Sequence, residues 1–215
     1  MKRFMITCIC LVIFTTMRSQ SSKNDVTGSY FLQEVMETAS GIRLNADSSF
    51  EFFYSYGALD RFGLGKWSYR NHKIILDSRK RPDLDFKLLQ AKSTTEDSII
   101  IAIKDNNDIL LRYVDCRIKT NSGIKEMRTN EQGFAKFPKE PVDSVALLFR
   151  LCPDRYSAFS VPAGINYFEF GFETWIVEVF FDHFELSYDH DHLTGGHPLL
   201  KGDQFTYVKS DKDQK

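Results

Sequence analysis

The residues best suited to chemistry in this 215-residue chain are histidines near its C-terminus. Four of the five histidines lie within fifteen residues, and three of them form the pattern Asp189-His190-Asp191-His192-x-x-x-x-His197. Alternate side chains of an extended segment point the same way, so His190 and His192 would present two imidazoles to one ion. Imidazole is a good ligand for zinc and copper, and His197 could return across a Gly-Gly turn as a third ligand. The alternative is an exposed polar loop, because the pattern needs no metal.

No other motif in the chain predicts catalysis. There is no G-x-S-x-G nucleophile elbow and no H-E-x-x-H zinc motif. The stretch Gly63-Leu64-Gly65-Lys66 lacks both the spacing and the Ser or Thr of a phosphate-binding loop. A carboxylate pair for glycoside chemistry is recognised by the separation of its members, which is a three-dimensional property. We therefore expect a protein that is not an enzyme and carries no cofactor.

The elements that would position reactive or binding residues are strands. In residues 50–56 every second residue is aromatic, and these residues would share one face because side chains alternate across a pleated backbone. Aromatic residues make up 14% of the chain, a bias that favours sheet over helix. Residues 57–65 form a longer loop with three glycines, beside which exposed aromatic side chains would contact a ligand or partner. These contact residues are Tyr54, Tyr56, Phe62 and Trp67. Burial in the core is the alternative for the tyrosines.

The order of short motifs in the first half is that of a β-meander. It runs through Gly28-x-Tyr30, Ile42-x-Leu44, Phe50, Gly65-x-Trp67 and Ile74-x-Leu76. This order resembles the N-terminal meander of small bacterial lipocalin-like secreted proteins. The resemblance implies an antiparallel meander or partial barrel over residues 22–104. The loop at 57–65 would then lie at the mouth of the barrel.

A second resemblance covers residues 109 to about 186, within a predicted β-sandwich domain at 109–209. The stretch Thr129-Asn130-Glu131-Gln132-Gly133-Phe134-Ala135-Lys136-Phe137 resembles a hairpin of carboxypeptidase-regulatory-like and transthyretin-like β-sandwich domains. The resemblance implies that Gly133 permits a tight turn and that Phe134 or Ala135, together with Phe137, enters the core. Such domains are usually non-catalytic accessory modules. The predicted fold class is therefore all-β, with a meander or partial barrel packed with a β-sandwich, although the two parts could merge into one sandwich.

Residues 1–20 have the pattern of a cleaved signal peptide. Lys2 and Arg3 form a basic start, and the apolar run 4–14 is too short to span a bilayer. Three of the 28 basic residues lie in this segment, so the mature chain has 25 basic against 29 acidic residues. That balance offers no basic stripe for phosphates, and we expect no nucleic-acid binding. We expect a secreted or periplasmic protein with no transmembrane segment in the mature chain and a disordered tail at 210–215.

Two cysteines remain after the signal segment, Cys116 and Cys152. In an exported chain they could form a disulfide, and the alternative is a pair of buried free thiols.

The leading hypothesis for function is a non-enzymatic binding or interaction module of the cell envelope, whose partner is an unknown envelope protein or small ligand. The alternative is a carrier of a small molecule or of zinc or copper, which would use the barrel mouth or the histidines 190, 192 and 197.

Overall fold

The computed structural model describes residues 26–57 and 59–210. The predicted signal peptide at 1–20 lies outside the described residues, as does the predicted tail except for Ser210. The described residues form sixteen strands and one short 3₁₀-helix, which confirms the all-β fold class. None of their helices is long and apolar enough to cross a bilayer.

Eight strands close into an antiparallel barrel. In their order around the wall they are β1 (Gly28–Leu32), β2 (Thr38–Leu44), β3 (Ser49–Tyr56), β4 (Leu59–Arg70), β5 (Lys73–Asp77), β14 (Phe184–Asp189), β15 (His192–Gly195) and β16 (Phe205–Lys209). The order of the eight strands around the wall is the same as their order along the chain. The last strand, β16, pairs with β1 and closes the ring. This up-and-down order is consistent with a lipocalin-like barrel.

The chain between β5 and β14 forms two four-stranded sheets. Its elements are β6 (Phe86–Lys92), β7 (Ser98–Lys104), the 3₁₀-helix (Asp108–Tyr113), β8 (Val114–Thr120), β9 (Gly123–Arg128), β10 (Phe134–Pro138), β11 (Val142–Phe149), β12 (Ser157–Ser160) and β13 (Tyr167–Phe172). One sheet has the order β10-β7-β13-β6, with β7 and β13 parallel, and the other has the order β12-β11-β8-β9. Side chains from both sheets, such as Ile101, Phe170 and Leu147, share one buried core. The two sheets are therefore a β-sandwich inserted into the barrel.

The sheets do not follow the predicted division into residues 22–104 and 109–209. β6 and β7 belong to the first range but pair within the sandwich, whereas β14–β16 belong to the second range and pair within the barrel. The pairing of β5 with β14 joins Leu76 to Phe184 across more than a hundred residues. Local alternation predicts many of the strands, although residues 59–65, which were expected to form a loop, belong to β4. It carries no signal for a partner as distant as Phe184.

The predicted turn before β10 forms, but it connects the two sheets and is not a hairpin within one sheet. The Asn130 side chain accepts hydrogen bonds from the backbone N–H groups of Gln132 and Phe134, at 3.1 and 2.9 Å. Gly133 has φ +81°, and a Cβ there would lie 2.7 Å from a backbone oxygen. Ala135 and Phe137 of β10 are buried in the sandwich core, whereas Phe134 lies on the outer face.

Arg61 of β4 holds the barrel against the sandwich. Its guanidinium lies 2.9 Å from the Asp154 carboxylate and also donates to the carbonyl oxygens of Val177 and Glu178. Burial raises the pKa of Asp154, but the hydrogen bonds and positive charges of Arg61 and Arg81 outweigh burial, so the net pKa is lowered. Asp154 is therefore ionised at neutral pH, and the contact between barrel and sandwich is an ion pair.

Candidate binding surface on the barrel

The four predicted contact residues fall into two groups. Tyr54 and Trp67 are buried in the barrel, and the Trp67 indole N–H donates a hydrogen bond of 2.9 Å to the Asn45 carbonyl. Tyr56, at the end of β3, and Phe62, on the outer face of β4, are exposed. The structure therefore keeps Phe62 and Tyr56 as candidate contact residues and assigns Tyr54 and Trp67 to the barrel core.

Phe62 belongs to a row of side chains that crosses four strands on the outside of the barrel. Phe31 of β1 pairs with Gly41 of β2, Gly41 pairs with Phe53 of β3, and Phe53 pairs with Phe62 of β4. Phe31, Phe53 and Phe62 are 41%, 40% and 37% exposed, and Leu64 of β4 is 49% exposed. We call Phe31, Phe53, Phe62 and Leu64 the barrel-face patch.

The patch surrounds a shallow groove of about 310 Å³. Phe31 and Phe53 meet edge to face with ring centroids 6.1 Å apart. The Phe53 ring lies over Gly41, where an added Cβ would stand 2.6 Å from it, so the glycine makes room for the ring. Arg43 and Glu51, which pair in register on β2 and β3, supply the charged part of the lining. The groove is thus mainly apolar and has one charged residue of each sign.

The position of Phe62 is fixed by a segment that returns from the sandwich. The Val179 N–H donates a hydrogen bond of 2.7 Å to the Phe62 carbonyl, and Phe62 and Glu178 form a parallel bridge. Phe181 enters the barrel beside Gly63, where an added Cβ would lie 2.6 Å from its ring. Inside the barrel, Phe181 makes edge-to-face contacts with aromatic residues of β3. The barrel-face patch therefore stands on a wall that is packed from within.

The interior of the barrel is occupied by its own side chains, and His197 is one of them. The His197 Nδ1 accepts hydrogen bonds from the backbone N–H groups of Leu199 and Leu200 at 3.0 and 3.1 Å, and its Nε2 lies 3.1 Å from the Ser40 hydroxyl. The imidazole stacks on Tyr207. Burial lowers the pKa of His197 to about 4, so the ring is neutral at pH 7. Both ring nitrogens are already hydrogen-bonded, and a metal would have to displace one of these partners.

The structure does not bring the three predicted metal ligands together. His190 lies on the exposed turn between β14 and β15, with its Nδ1 2.6 Å from the Asp189 carboxylate, and His192 is the exposed first residue of β15. His197 is buried inside the barrel, as described above. The prediction relied on alternation in one extended segment, but His190 has φ +35° and lies in a tight turn.

A different histidine lies beside two carboxylates. His183, Asp77 and Asp182 place one ligand atom each within 4.8 Å of one another. These residues are exposed or half-buried where β5 ends and β14 begins. Exposed groups of this kind are common in proteins without a bound ion.

Cys116 and Cys152 are free thiols in the sandwich core and do not form the disulfide that was considered. Cys116 is on the inner face of β8, opposite Leu147, and Cys152 follows the end of β11. Burial raises the pKa of Cys152 to about 11 and raises the pKa of Cys116 as well. Both thiols therefore stay protonated at neutral pH, which makes them poor nucleophiles.

Sequence reasoning identified Phe62 but missed Phe31, Phe53 and Leu64. The aromatic alternation of β3 drew attention to its inner face, and Phe53 lies between two residues of that face. The row becomes visible only through the register of β1, β2, β3 and β4.

Comparisons with protein-family models, with curated proteins and with solved structures find no match for the chain.

Proposed function

We propose that this protein is an exported, non-enzymatic binding module of the bacterial cell envelope that holds an apolar segment of a partner protein on the barrel-face patch. The observation that carries the proposal is the row of exposed phenylalanines around one groove. The largest contiguous apolar patch on a typical soluble monomer is about 300–600 Å² and is often functional. The signal-peptide pattern supports export, and the resemblance to accessory β-sandwich domains supports an attachment role.

The size of the patch favours a short segment as the occupant. Three phenylalanines and one leucine at about two-fifths to one-half exposure present roughly 300 Å² of apolar area. A stable interface between two folded proteins buries about 800 Å² on each side, so a second copy of this chain would need much more surface. Two or three apolar side chains of an extended segment match the available area. Arg43 and Glu51 would orient its backbone or polar side chains.

The alternative function, a carrier of a small molecule or metal, has less support. Tyr30, Phe52 and Tyr207 are among the side chains that fill the barrel. Of the three histidines that would bind zinc or copper, His190 and His192 are exposed at the β14–β15 hairpin, whereas His197 is buried in the core. The outer groove is open and lies at the small end of the range of about 300–1,000 Å³ that is usual for small-molecule pockets.

Site-specific photo-crosslinking in the source cell tests the proposal. The full chain would carry a benzoylphenylalanine in place of Phe62 or, as a matched control, in place of Ile124, which is 68% exposed on β9 of the sandwich. We expect a discrete protein adduct from position 62 that is absent from position 124 and is lost when Phe53→Ser is added. The partner identified in this way would then be titrated against the purified wild-type and Phe53→Ser proteins. Equal adducts from both positions, or an adduct that Phe53→Ser leaves unchanged, would overturn the proposal.

A further inference from the structure

The edge strand β6 of the sandwich is uncovered along almost its whole length. It is the last strand in the sheet order β10-β7-β13-β6, and within residues 26–57 and 59–210 no strand pairs with its outer edge. Phe86 is buried, but all six following residues, 87–92, are exposed. Leu88 and Leu89 are 43% and 49% exposed. Exposed edge strands of this kind are templates for another strand.

The direction of the β6 backbone shows which groups remain for such a strand. The Asp85 carbonyl accepts a hydrogen bond from the Glu173 N–H, and the Lys92 carbonyl accepts one from the Asn166 N–H, so both point towards β13. Between them the register shifts by one residue at Leu89. Because backbone groups alternate in direction along a strand, residues 88 and 91 direct their N–H and C=O groups towards the free edge; Phe86 has the same direction but is buried.

The face of the sheet beside this edge is basic. Its outward positions include Lys87 and Lys92 on β6, Lys104 on β7 and Lys136 on β10, against the single carboxylate of Glu169 on β13. Among the described residues none of these four lysines forms an ion pair. Two of them contact aromatic rings instead: the Lys92 ammonium lies 4.7 Å from the Tyr167 ring and the Lys104 ammonium 5.4 Å from the Phe134 ring. Neither contact neutralises the positive charge of the lysine.

A hollow lies between two of these lysines. Lys87 and Lys104 both pair in register with Gly171, on opposite sides of it. A depression of about 290 Å³ lies there, lined also by Asp105 and by Leu89, whose side chain packs against Gly171. A carboxylate that reached this hollow would meet two ammonium groups and the single carboxylate of Asp105, which leaves the lining with a net positive charge.

We propose that the free edge of β6 binds an extended acidic segment of another protein as an additional strand. Main-chain hydrogen bonds would form with the free backbone groups of residues 88 and 91. Side chains of the added strand would alternate, with acidic residues on the face that carries Lys87 and Lys92, and apolar residues against Leu88. This edge is separate from the barrel-face patch, so either surface could bind its partner without the other.

The charges also argue against a second copy of this chain as the added strand. Two copies of β6 could pair antiparallel about a two-fold axis between Leu89 and Gln90. Lys87 of each copy would then lie opposite Lys92 of the other copy, which gives two contacts between like charges. Like charges directly opposite each other destabilise a strand pair, and edge lysines are a common protection against self-association.

Binding of designed peptides to the purified protein tests this inference. The probe is a ten-residue peptide of alternating glutamate and valine, and the control peptide has lysine in place of glutamate. We expect saturable binding of the glutamate peptide alone, with hydrogen-exchange protection of amides in 86–92. Lys87→Glu with Lys92→Glu should weaken binding at least tenfold. Lys119→Glu, on the exposed face of β8 in the other sheet, is the matched control and should leave binding unchanged.

Ala91→Pro gives a second test, because it removes an N–H from the free edge without removing a hydrogen bond to β13. Binding should be lost while the urea midpoint stays near that of the wild type. Three results would each overturn the inference: similar affinities for both peptides, binding without protection at 86–92, or no binding at all. Dimerisation that depends on protein concentration and protects the same amides without peptide would also contradict the inference. It would show that the edge of β6 pairs with a second copy of the chain and not with an acidic segment.

Discussion

Replacing Arg61 by methionine should destabilise the protein through the contact between barrel and sandwich. The Arg61 side chain is 4% exposed and the Asp154 side chain 28% exposed, so the substitution leaves a largely buried carboxylate without its closest partner. Removing one member of a buried ion pair costs about 3–5 kcal/mol. Asp154 is partly solvated and keeps Arg81 at 3.2 Å. We therefore expect a loss of about 3 kcal/mol in the free energy of unfolding, at the low end of that range.

A double-mutant cycle separates the uncompensated charge from the lost packing. If the charge of Asp154 is the main cause, the double variant Arg61→Met/Asp154→Asn should be more stable than Arg61→Met alone. Urea unfolding at pH 7, followed by tryptophan fluorescence and by circular dichroism, measures the free energy of unfolding of each variant. An Arg61→Met protein within 1 kcal/mol of the wild type, or single effects that simply add, would refute the reasoning.

The same pair predicts a dependence on pH. The pKa of Asp154 is lower in the folded than in the unfolded protein, so the stabilisation is fully present above the unfolded pKa, about 3.9, and is lost as the pH falls through the lower folded pKa. The difference in stability between the wild type and Asp154→Asn should therefore be largest near neutrality and shrink in acid. A difference that stays constant down to about pH 2 would contradict this assignment.

Three further predictions follow from the glycine, thiol and imidazole environments. Gly63→Ala should lower stability by about 1–3 kcal/mol because its Cβ would overlap a packed ring, whereas Gly196→Ala, whose Cβ would meet nothing closer than 3.9 Å, should leave the urea midpoint unchanged; equal midpoints for the two would contradict the packing described. In a chain that begins at residue 21, Cys116 and Cys152 should be unreactive to a thiol reagent at pH 8 and give two equivalents after unfolding, whereas a disulfide would give none. The pKa of His197 falls from 6.5 to about 4 on folding, so stability should be complete above pH 6.5 and decline towards pH 4 by up to roughly 3 kcal/mol; a His197→Asn variant should lack that slope, and an unchanged slope would place the titrating group elsewhere.

The sequence predicted those features that depend on neighbouring residues. Alternation in 50–56 predicted the strand β3 and its inner face, and the resemblance around Gly133 implied the tight turn that precedes β10. The inserted position of the sandwich was not predicted, because closure of the barrel depends on pairings such as Leu76 with Phe184. Pairings of this kind arise from the whole core and leave no local pattern.

The same limit applies to the candidate surfaces. Phe62 was identified because residues 57–65 were expected to form a glycine-containing loop, although the structure places it within β4. Phe53 joins it only through the register of β3 and β4. The histidines show the reverse case. Their spacing looked like a ligand set, yet His197 lies in the barrel core and His190 on a turn, because the chain changes direction between them. The ion pair of Arg61 with Asp154 joins residues 93 apart, and no sequence signal marked it.

The insertion of the sandwich has a consequence for the order of folding. β1–β5 leave the ribosome first, and until β14–β16 follow, the outer edges of β1 and β5 lack their barrel partners. Closure must wait for β14–β16, more than a hundred residues later. If the sandwich folds before them, it brings the end of β5 and the start of β14 close together, so barrel closure no longer requires a long flexible loop to be closed. The sandwich would then act as a built-in folding template for the barrel, and mutations in its core should slow the appearance of the barrel as well as destabilise the sandwich itself.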